Sequence, residues 1–296
     1  HTYLIGIKCC IVLITPETKT FRFISSHFQS IQSTMMDHNI KAIFFDIDGT
    51  LVSFKTHRVP PTTVHAIETL RSRGIKVFIA TGRPFYQINN LGDLQFDGYV
   101  TLNGAWCIDH TGRVIFRNPI PQADLDAINQ RLDNGDKFPC AFMTPSQVYI
   151  NYVDQTVADV AAMVGLNPPP IRDLHEVAQE EVLQINIYVG SQQEILMRDV
   201  FKHCTSSRWY PAFADLNVKG NSKSTGIDQI LADYTIPLSE TLSFGDGGND
   251  IPMLHHTGFS VAMGNAADAV KEAATYVTTD VDHEGIPNAL RHFGLI

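Results

Sequence analysis

The chain has 296 residues, 44% of them hydrophobic, which is enough for a large buried core and long enough for two domains. Its formal charge of −9, with no Lys/Arg-rich stripe, argues against nucleic acid as the main partner, and no apolar run reaches the ~20 residues of a membrane span. The five cysteines (Cys9, Cys10, Cys107, Cys140, Cys204) are scattered, lack metal-ligand spacing, and read as reduced thiols of a cytoplasmic protein.

Residues 1–35 fit the rest of the pattern poorly. Leu4–Ile14 is apolar but broken by Lys8; it is short for a signal-peptide core, and no clear small-residue cleavage site follows. We expect an artefact of the gene's start, ahead of Met35-Met36, with an added strand or arm and a targeting segment as alternatives. From Ile40 strands and helices alternate. A strand over 40–47 leads to a helix that opens at Pro61, where proline is tolerated, and ends before Gly74. Strand 75–80, a short helix opening at Pro84 and strand Gly98–Leu102 follow. Such alternation predicts a parallel sheet with helices on both faces.

From about Pro119 the character changes. A helix (Ala123–Leu132), short strands around Ala141 and over Val148–Ile150, a Pro168-Pro169-Pro170 break and strand Leu183–Val189 predict an α+β insert. Ser191-x-x-Glu194 is a capping-box candidate for a further helix. A strand-like run, Trp209–Val218, returns the chain to the parallel pattern, which includes the apolar strand Thr241–Phe244 and runs to Ile296. The expected organisation is an α/β protein with a Rossmann-like core of residues 36–118 and 219–296. Residues 119–218 form the inserted domain, and residues 1–35 an extension.

The chemistry concentrates at Asp46-Ile47-Asp48-Gly49-Thr50. A buried strand ending in Asp-x-Asp holds two acids at the carboxyl edge of a sheet, where open α/β folds bind ligands. Gly49 lets the backbone turn so that both side chains face one site. Clustered carboxylates repel unless a divalent metal or a shared proton separates them. Three further segments follow in order: Val77–Arg83, ending Thr81-Gly82-Arg83; Lys223 within Gly220–Gly226; and Gly245-Asp246-Gly247-Gly248-Asn249-Asp250.

These four segments resemble, in the right order, the four motifs of the haloacid dehalogenase superfamily of phosphoryl-transfer enzymes. Met263-Gly264-Asn265-Ala266 and the stretch from Val270 through Glu284-Gly285 further resemble its Cof-like branch, whose better-known members are sugar phosphatases. The likeness covers roughly residues 40–296, and residues 119–218 fall where that branch carries its type 2 cap.

The resemblance implies a role for each residue. Asp46 is the nucleophile and a metal ligand. Asp48 is the general acid and base, and its backbone carbonyl also meets the metal. Thr81, with the Gly82 amide, hydrogen-bonds a phosphoryl oxygen; the alternative is a strand-end threonine capping the next helix. Lys223 supplies positive charge to the phosphoryl group and Asp46, with Lys219 as its rival. Asp246 is the remaining direct metal ligand, and Asp250 a metal-site residue that orients waters or Lys223. Asn249 touches the phosphate or caps the following helix, and Arg83 and Asn103 are candidate substrate contacts. Hard oxygen ligands fit Mg2+ rather than zinc, and His255-His256 reads as surface. In the insert, Asn151, Tyr152, Arg208, Trp209 and Tyr210 could face a sugar.

The implied function is a Mg2+-dependent phosphatase of small phosphorylated metabolites, sugar phosphates foremost, with no obligate protein partner. A phosphomutase of the same superfamily and a non-enzymatic phosphate-binding module are the alternatives. The mutase would depend on a bisphosphate activator, and the module would show no turnover on any ester.

Overall fold

The computed structural model describes residues 3–7, 10–14, 39–197 and 200–296. Tyr3–Ile7 (β1) and Cys10–Ile14 (β2) pair as an antiparallel hairpin, from Tyr3 opposite Ile14 to Ile7 opposite Cys10, within a unit of their own. The rest of residues 1–35, including Met35, and with it the choice between artefact, arm and targeting segment, lies outside the described residues.

Residues 38–296 form the second unit. Its first part runs β3 (Ala42–Phe45), α1 (Pro61–Ser72), β4 (Lys76–Ala80), β5 (Gly98–Thr101), β6 (Trp106–Asp109) and β7 (Val114–Arg117). Next come α2 (Gln122–Asp133), β8 (Cys140–Met143), β9 (Val148–Ile150), α3 (Gln155–Met163), α4 (Leu174–Val177), β10 (Gln184–Ile187), α5 (Ser191–Met197), β11 (Cys204–Tyr210) and β12 (Phe213–Val218). The last part comprises α6 (Lys223–Tyr234), β13 (Thr241–Gly245), α7 (Ile251–His256), β14 (Phe259–Ala262), α8 (Asp268–Glu272), β15 (Tyr276–Val277) and α9 (Gly285–His292).

The first and last parts share one sheet in the order β15-β14-β13-β3-β4-β5-β6-β7. β3 lies near its middle, between β13 and β4, and all four of its residues are buried. Ile43 and Phe45 pack with Ile67 and Leu70 of α1 and Ile286 and Leu290 of α9, whereas Ala42 and Phe44 pack with Ile227 and Ile230 of α6. Burial on both faces explains why this strand is a continuous apolar run. Its rings stack along the sheet, Phe44 on Phe78 and Phe45 on Phe244, each at 4.9 Å between centroids.

The sheet is not wholly parallel as expected, because β6 and β7 run antiparallel beyond β5. Only short connections join β5 to β6 and β6 to β7, too short for the crossover that parallel strands need.

The middle part builds a second, fully antiparallel sheet in the order β11-β12-β10-β8-β9. The single strand expected over Trp209–Val218 is instead the end of β11, a tight turn and the whole of β12, the break falling at Pro211, which has no N–H to give a ladder. The expected capping box at Ser191 does not describe the helix start: Ser191 is already inside α5, and Glu194 turns its carboxylate to the hydroxyl of Ser206 and the guanidinium of Arg208. α3, capped by Asp154 accepting from the Val157 amide at 3.0 Å, and α4 went unread in the sequence.

Strand alternation gives this smaller sheet two unlike faces. Ile185, Ile187, Ala214 and Leu216 join the apolar cluster under α2 and α4. Gln184, Asn186, Asp215 and Asn217 alternate with them, all buried; Asn217 Nδ2 reaches the Leu102 carbonyl (3.1 Å) and Gln184 Nε2 the Gly82 carbonyl (3.4 Å) of the larger layer. No helix among the described residues is long and apolar enough to cross a membrane.

Candidate active site

β3 delivers the two leading acids. The Asp46 amide continues its ladder by donating to Phe244 O at 3.0 Å, and the chain then folds back, Val52 N to Ile47 O at 2.8 Å and Gly49 N to Val52 O at 2.9 Å. Gly49 sits at φ +86°, and a Cβ there would lie 2.2 Å from Asp246 Oδ2, so only glycine lets this turn close against the end of β13. Asp46 and Asp48 consequently line the same cavity, of about 640 Å3, between the two sheets.

Lys223 opens α6 behind Asp46. The helix starts on a capping box, Ser222 Oγ accepting from Thr225 N (3.3 Å) while Ser222 N donates to Thr225 Oγ1 (2.9 Å). Gly104, at φ +92°, passes so close that a Cβ would meet the Ser222 carbonyl at 2.1 Å, which seats this helix start beneath the site. Lys223 is fully buried, and its Nζ donates to Asp46 Oδ1 and Asp250 Oδ1, both at 2.5 Å. The other Asp250 oxygen accepts from the amides of Asp246 (2.9 Å) and Gly247 (2.8 Å). Asp246 is held by the Thr50 hydroxyl (2.8 Å) and Asn265 Nδ2 (3.2 Å). Lys219, the rival lysine, is exposed and donates to the Lys202 carbonyl.

Three carboxylates therefore gather about one fully buried ammonium, Asp46 and Asp250 bonded to it and Asp246 half-buried at the cavity. Burial lifts Asp46 to about 7; Lys223 opposes the rise, and the charges of Asp250 and Asp48 add to it. Asp246 is raised well above its ordinary value, chiefly by burial and then by Asp46 and Asp250. For Lys223 burial acts downward, but the two carboxylates outweigh it and hold the ammonium above its usual range. One oxygen each from Asp46, Asp246 and Asp250 lie within 4.8 Å of one another, and this triad could hold a metal ion. The excess negative charge and all-oxygen donors suit a hard divalent cation. The side chain of Asp48 is not part of the triad.

Asp48 is instead gripped by Arg83, Nε to Oδ2 and Nη2 to Oδ1, each at 2.6 Å. Arg83 also donates to the carbonyls of Gln87 (3.2 Å) and Val164 (2.9 Å). Thr81, Gly82 and Arg83 line the cavity, and the Thr81 hydroxyl accepts from the Arg83 amide at 3.1 Å; it does not cap the short helix that follows, Phe85–Gln87, which has no side-chain cap. Asn249 also lines it, but its amide donates to Asn103 Oδ1 (2.9 Å), and α7 has no side-chain cap.

The structure departs from the sequence at Asn103. Its side chain lies behind the cavity wall, donating to Asp215 Oδ2 (2.7 Å) and Gln184 Oε1 (3.1 Å), so the expected substrate contact is replaced by a brace between the two sheets. Asn151 departs too, satisfying Cys140 N (2.8 Å) and Phe138 O (3.1 Å) at the edge of the smaller sheet, and Tyr152 does not line the cavity. Arg208 and Tyr210 do line it, and the Trp209 side chain lies outside the described residues. His256 pairs with Asp228 at 2.7 Å, and Cys107, Cys140 and Cys204 are buried free thiols.

Asn186, Tyr188, Phe213 and Asp215 line the cavity from β10, its end, and β12, and the sequence reading missed them. The available signal was the polar residue at every second position of two otherwise apolar strands. Burial lifts Asp215 to about 7, with the bond from Asn103 and the charges of Lys223 and Arg208 opposing.

The model of the haloacid dehalogenase-like hydrolases matches residues 43–290, and the chain belongs to that family. It is a phosphatase of subclass IIB of the superfamily. The fold is similar to that of the subclass IIB sugar phosphatase BT4131, at TM-score 0.82 and 43% identity, covering 86% of this chain and 100% of that one. YkrA of Bacillus subtilis (strain 168), named as a candidate phosphatase, is 31% identical over 86% of this chain and 98% of its own length. The same organism's 5-amino-6-(5-phospho-D-ribitylamino)uracil phosphatase YitU is 28% identical over 85% and 96%.

Proposed function

We propose that the protein is a Mg2+-dependent phosphatase of small phosphorylated metabolites, sugar phosphates foremost, acting through an aspartyl-phosphate on Asp46. Residues 36–118 and 219–296 act as the catalytic core and 119–218 as its cap, with the chemistry between them. The observation that carries this reading is the convergence of Asp46, Asp48 and Asp246 on one cavity, with Lys223 and the Asp250 carboxylate packed behind.

Asp46 attacks phosphorus in line with the leaving oxygen, and Lys223 directs its carboxylate and balances charge developing on the phosphoryl oxygens. Mg2+, held by Asp46 and Asp246 with the Asp48 carbonyl and with Asp250 ordering the surroundings, would supply the remaining charge neutralisation. Asp48 gives its proton to the departing alkoxide and then takes one from the water that hydrolyses the acyl-phosphate. Thr81, the Gly82 amide and Asn249 hold the phosphoryl group, and Arg83 positions Asp48.

Two relatives support a polyol phosphate as substrate: BT4131 is a sugar phosphatase, and YitU is named for a compound that carries a phosphorylated ribityl chain. A phosphomutase would hold a second phosphate, yet the cationic side chains among the described lining residues, Arg83 and Arg208, are both paired with carboxylates.

The test is kcat/KM across hexose and pentose phosphates, nucleotides and phosphopeptides. The expected order places sugar phosphates first, and a strong preference for nucleotides or phosphopeptides overturns it. Asp46→Asn, which keeps the shape and removes the nucleophilic anion, is expected to lose several orders of magnitude in turnover while keeping its circular dichroism. Near-normal turnover would sink the mechanism.

A further inference from the structure

Asn186 and Asp215 stand directly opposite each other in the β10–β12 ladder, so their side chains share the face turned to the cavity. Each has one atom tied down. Asn186 Oδ1 accepts from Gln184 Nε2 at 3.1 Å, and Asp215 Oδ2 accepts from Asn103 Nδ2 at 2.7 Å. Those bonds fix the rotamers and leave Asp215 Oδ1 and Asn186 Nδ2 without a partner among the described residues. Neither is a sealed, unsatisfied atom. A buried carboxylate oxygen beside an amide N–H2 is an acceptor next to a donor, the complement of an alcohol.

The surroundings sharpen the match. A Cβ on Gly82 would lie 3.4 Å from Asp215 Oδ2, so the pair adjoins the proposed phosphoryl-binding turn. Tyr188, Phe213 and Tyr210 continue the wall, with ring centroids 5.6 Å apart for the first two and 6.4 Å for the last two. Such rings suit the C–H face of a sugar. Arg208 is engaged by Glu194 and by the carbonyls of Val189, Tyr210 and Pro211, and Arg83 by Asp48, so neither is left to receive a second anion. Once ionised, above about pH 7, Asp215 itself repels one across a poorly solvated space.

We propose that Asp215 and Asn186 form a hydroxyl-reading pair that selects uncharged polyol monophosphates, Asp215 Oδ1 accepting from, and Asn186 Nδ2 donating to, a hydroxyl near the phosphoester. This rests on the phosphatase reading above and names what the cap selects. The pair rejects esters that lack the hydroxyl, because its buried polar atoms then go unpaired, and esters that carry a second anionic group, because of Asp215.

Two variants separate these effects. Asp215→Asn can keep the bond from Asn103 while turning its cavity-facing acceptor into a donor; Asn186→Ala removes the donor and keeps the acid. The readout is the ratio of kcat/KM for a hexose 6-phosphate to that for p-nitrophenyl phosphate, and to that for an aldonic-acid phosphate. In Asp215→Asn both ratios are expected to fall at least about tenfold. In Asn186→Ala only the first should fall. Ratios that do not move in either variant, whatever happens to absolute rates, overturn the pair, because a structural role depresses all esters alike. A wild-type protein that hydrolyses none of the three esters would instead overturn the phosphatase reading beneath it.

Discussion

Arg83 joins Asp48 to the cap: Nε and Nη2 take the two carboxylate oxygens at 2.6 Å, and the same Nη2 donates to the Val164 carbonyl, just past α3, at 2.9 Å. A planar fork with several donors can hold both partners at once, and lysine cannot. The acid proposed to protonate the leaving group is thus aimed by a side chain that also touches the layer covering the site.

If Arg83 works through Asp48, removing both is no worse than removing Asp48. Arg83→Met is expected to lower kcat/KM about 10- to 100-fold for alkyl phosphates and less for p-nitrophenyl phosphate, whose leaving group needs little protonation. Added to Asp48→Asn it should cost little more. Fully additive losses in that cycle would show Arg83 acting elsewhere.

Lys223 is the counter-charge for Asp46 and Asp250. Lys223→Met fills similar space and leaves two carboxylates buried without it. Losing one partner of a buried ion pair typically costs about 3–5 kcal/mol, and a preorganised charge at the reacting centre is worth at least about a hundredfold in rate. Denaturant titration and kcat together check this, and a variant as stable as the wild type would contradict the role.

Chelation tests the acidic triad in two ways. EDTA is expected to abolish hydrolysis, Mg2+ to restore it, and Ca2+ to serve poorly because it prefers more ligands at longer distances. Independently of activity, Mg2+ should raise the melting temperature, a ligand at a hundredfold excess over its Kd adding about 2.7 kcal/mol. Full activity in EDTA, or a melting temperature blind to Mg2+, would count against the site.

Asp215 supplies a pH test. Its carboxyl sits at about 7 in the fold against 3.8 ordinarily. Below about 4 folded and unfolded chains both hold the proton. Between about 4 and 7 only the fold holds it, so this group's contribution to stability declines as pH rises through that window and is flat above it. Asn has no proton to lose. The melting temperature of Asp215→Asn minus that of the wild type should therefore climb from pH 4 to 7 and then level, and a flat or falling difference would refute the burial effect. Asp46 and Asp246 shift in the same direction, but both proteins carry them, so the subtraction removes them.

The strand ends carrying Asp46, Thr81 and Asp246 were legible in the sequence because each follows an apolar run that a two-sided sheet requires, and Gly49 marks the turn beside Asp46. Local rules failed where a choice depended on a distant partner. The parallel pattern could not announce β6 and β7, whose direction follows from short connections. Glu194 looked like a capping residue until the fold put Arg208 and Ser206 beside it.

By itself the sequence determined the α/β alternation, the order of the four motifs and the acids, lysine and threonine they contain, because these rest on spacing along one strand or one turn. Tertiary structure alone decided that Arg83 would hold Asp48, that Asn103 would brace the two sheets, and that Asn186 and Asp215 would become neighbours facing the cavity. The bonds of Arg83 and Asn103 join residues 35, 112 and 81 positions apart for Arg83–Asp48, Asn103–Asp215 and Asn103–Gln184. Which polar groups meet across such separations is set by sheet register and by the burial of the apolar faces on the other side, and no local pattern in the chain encodes it.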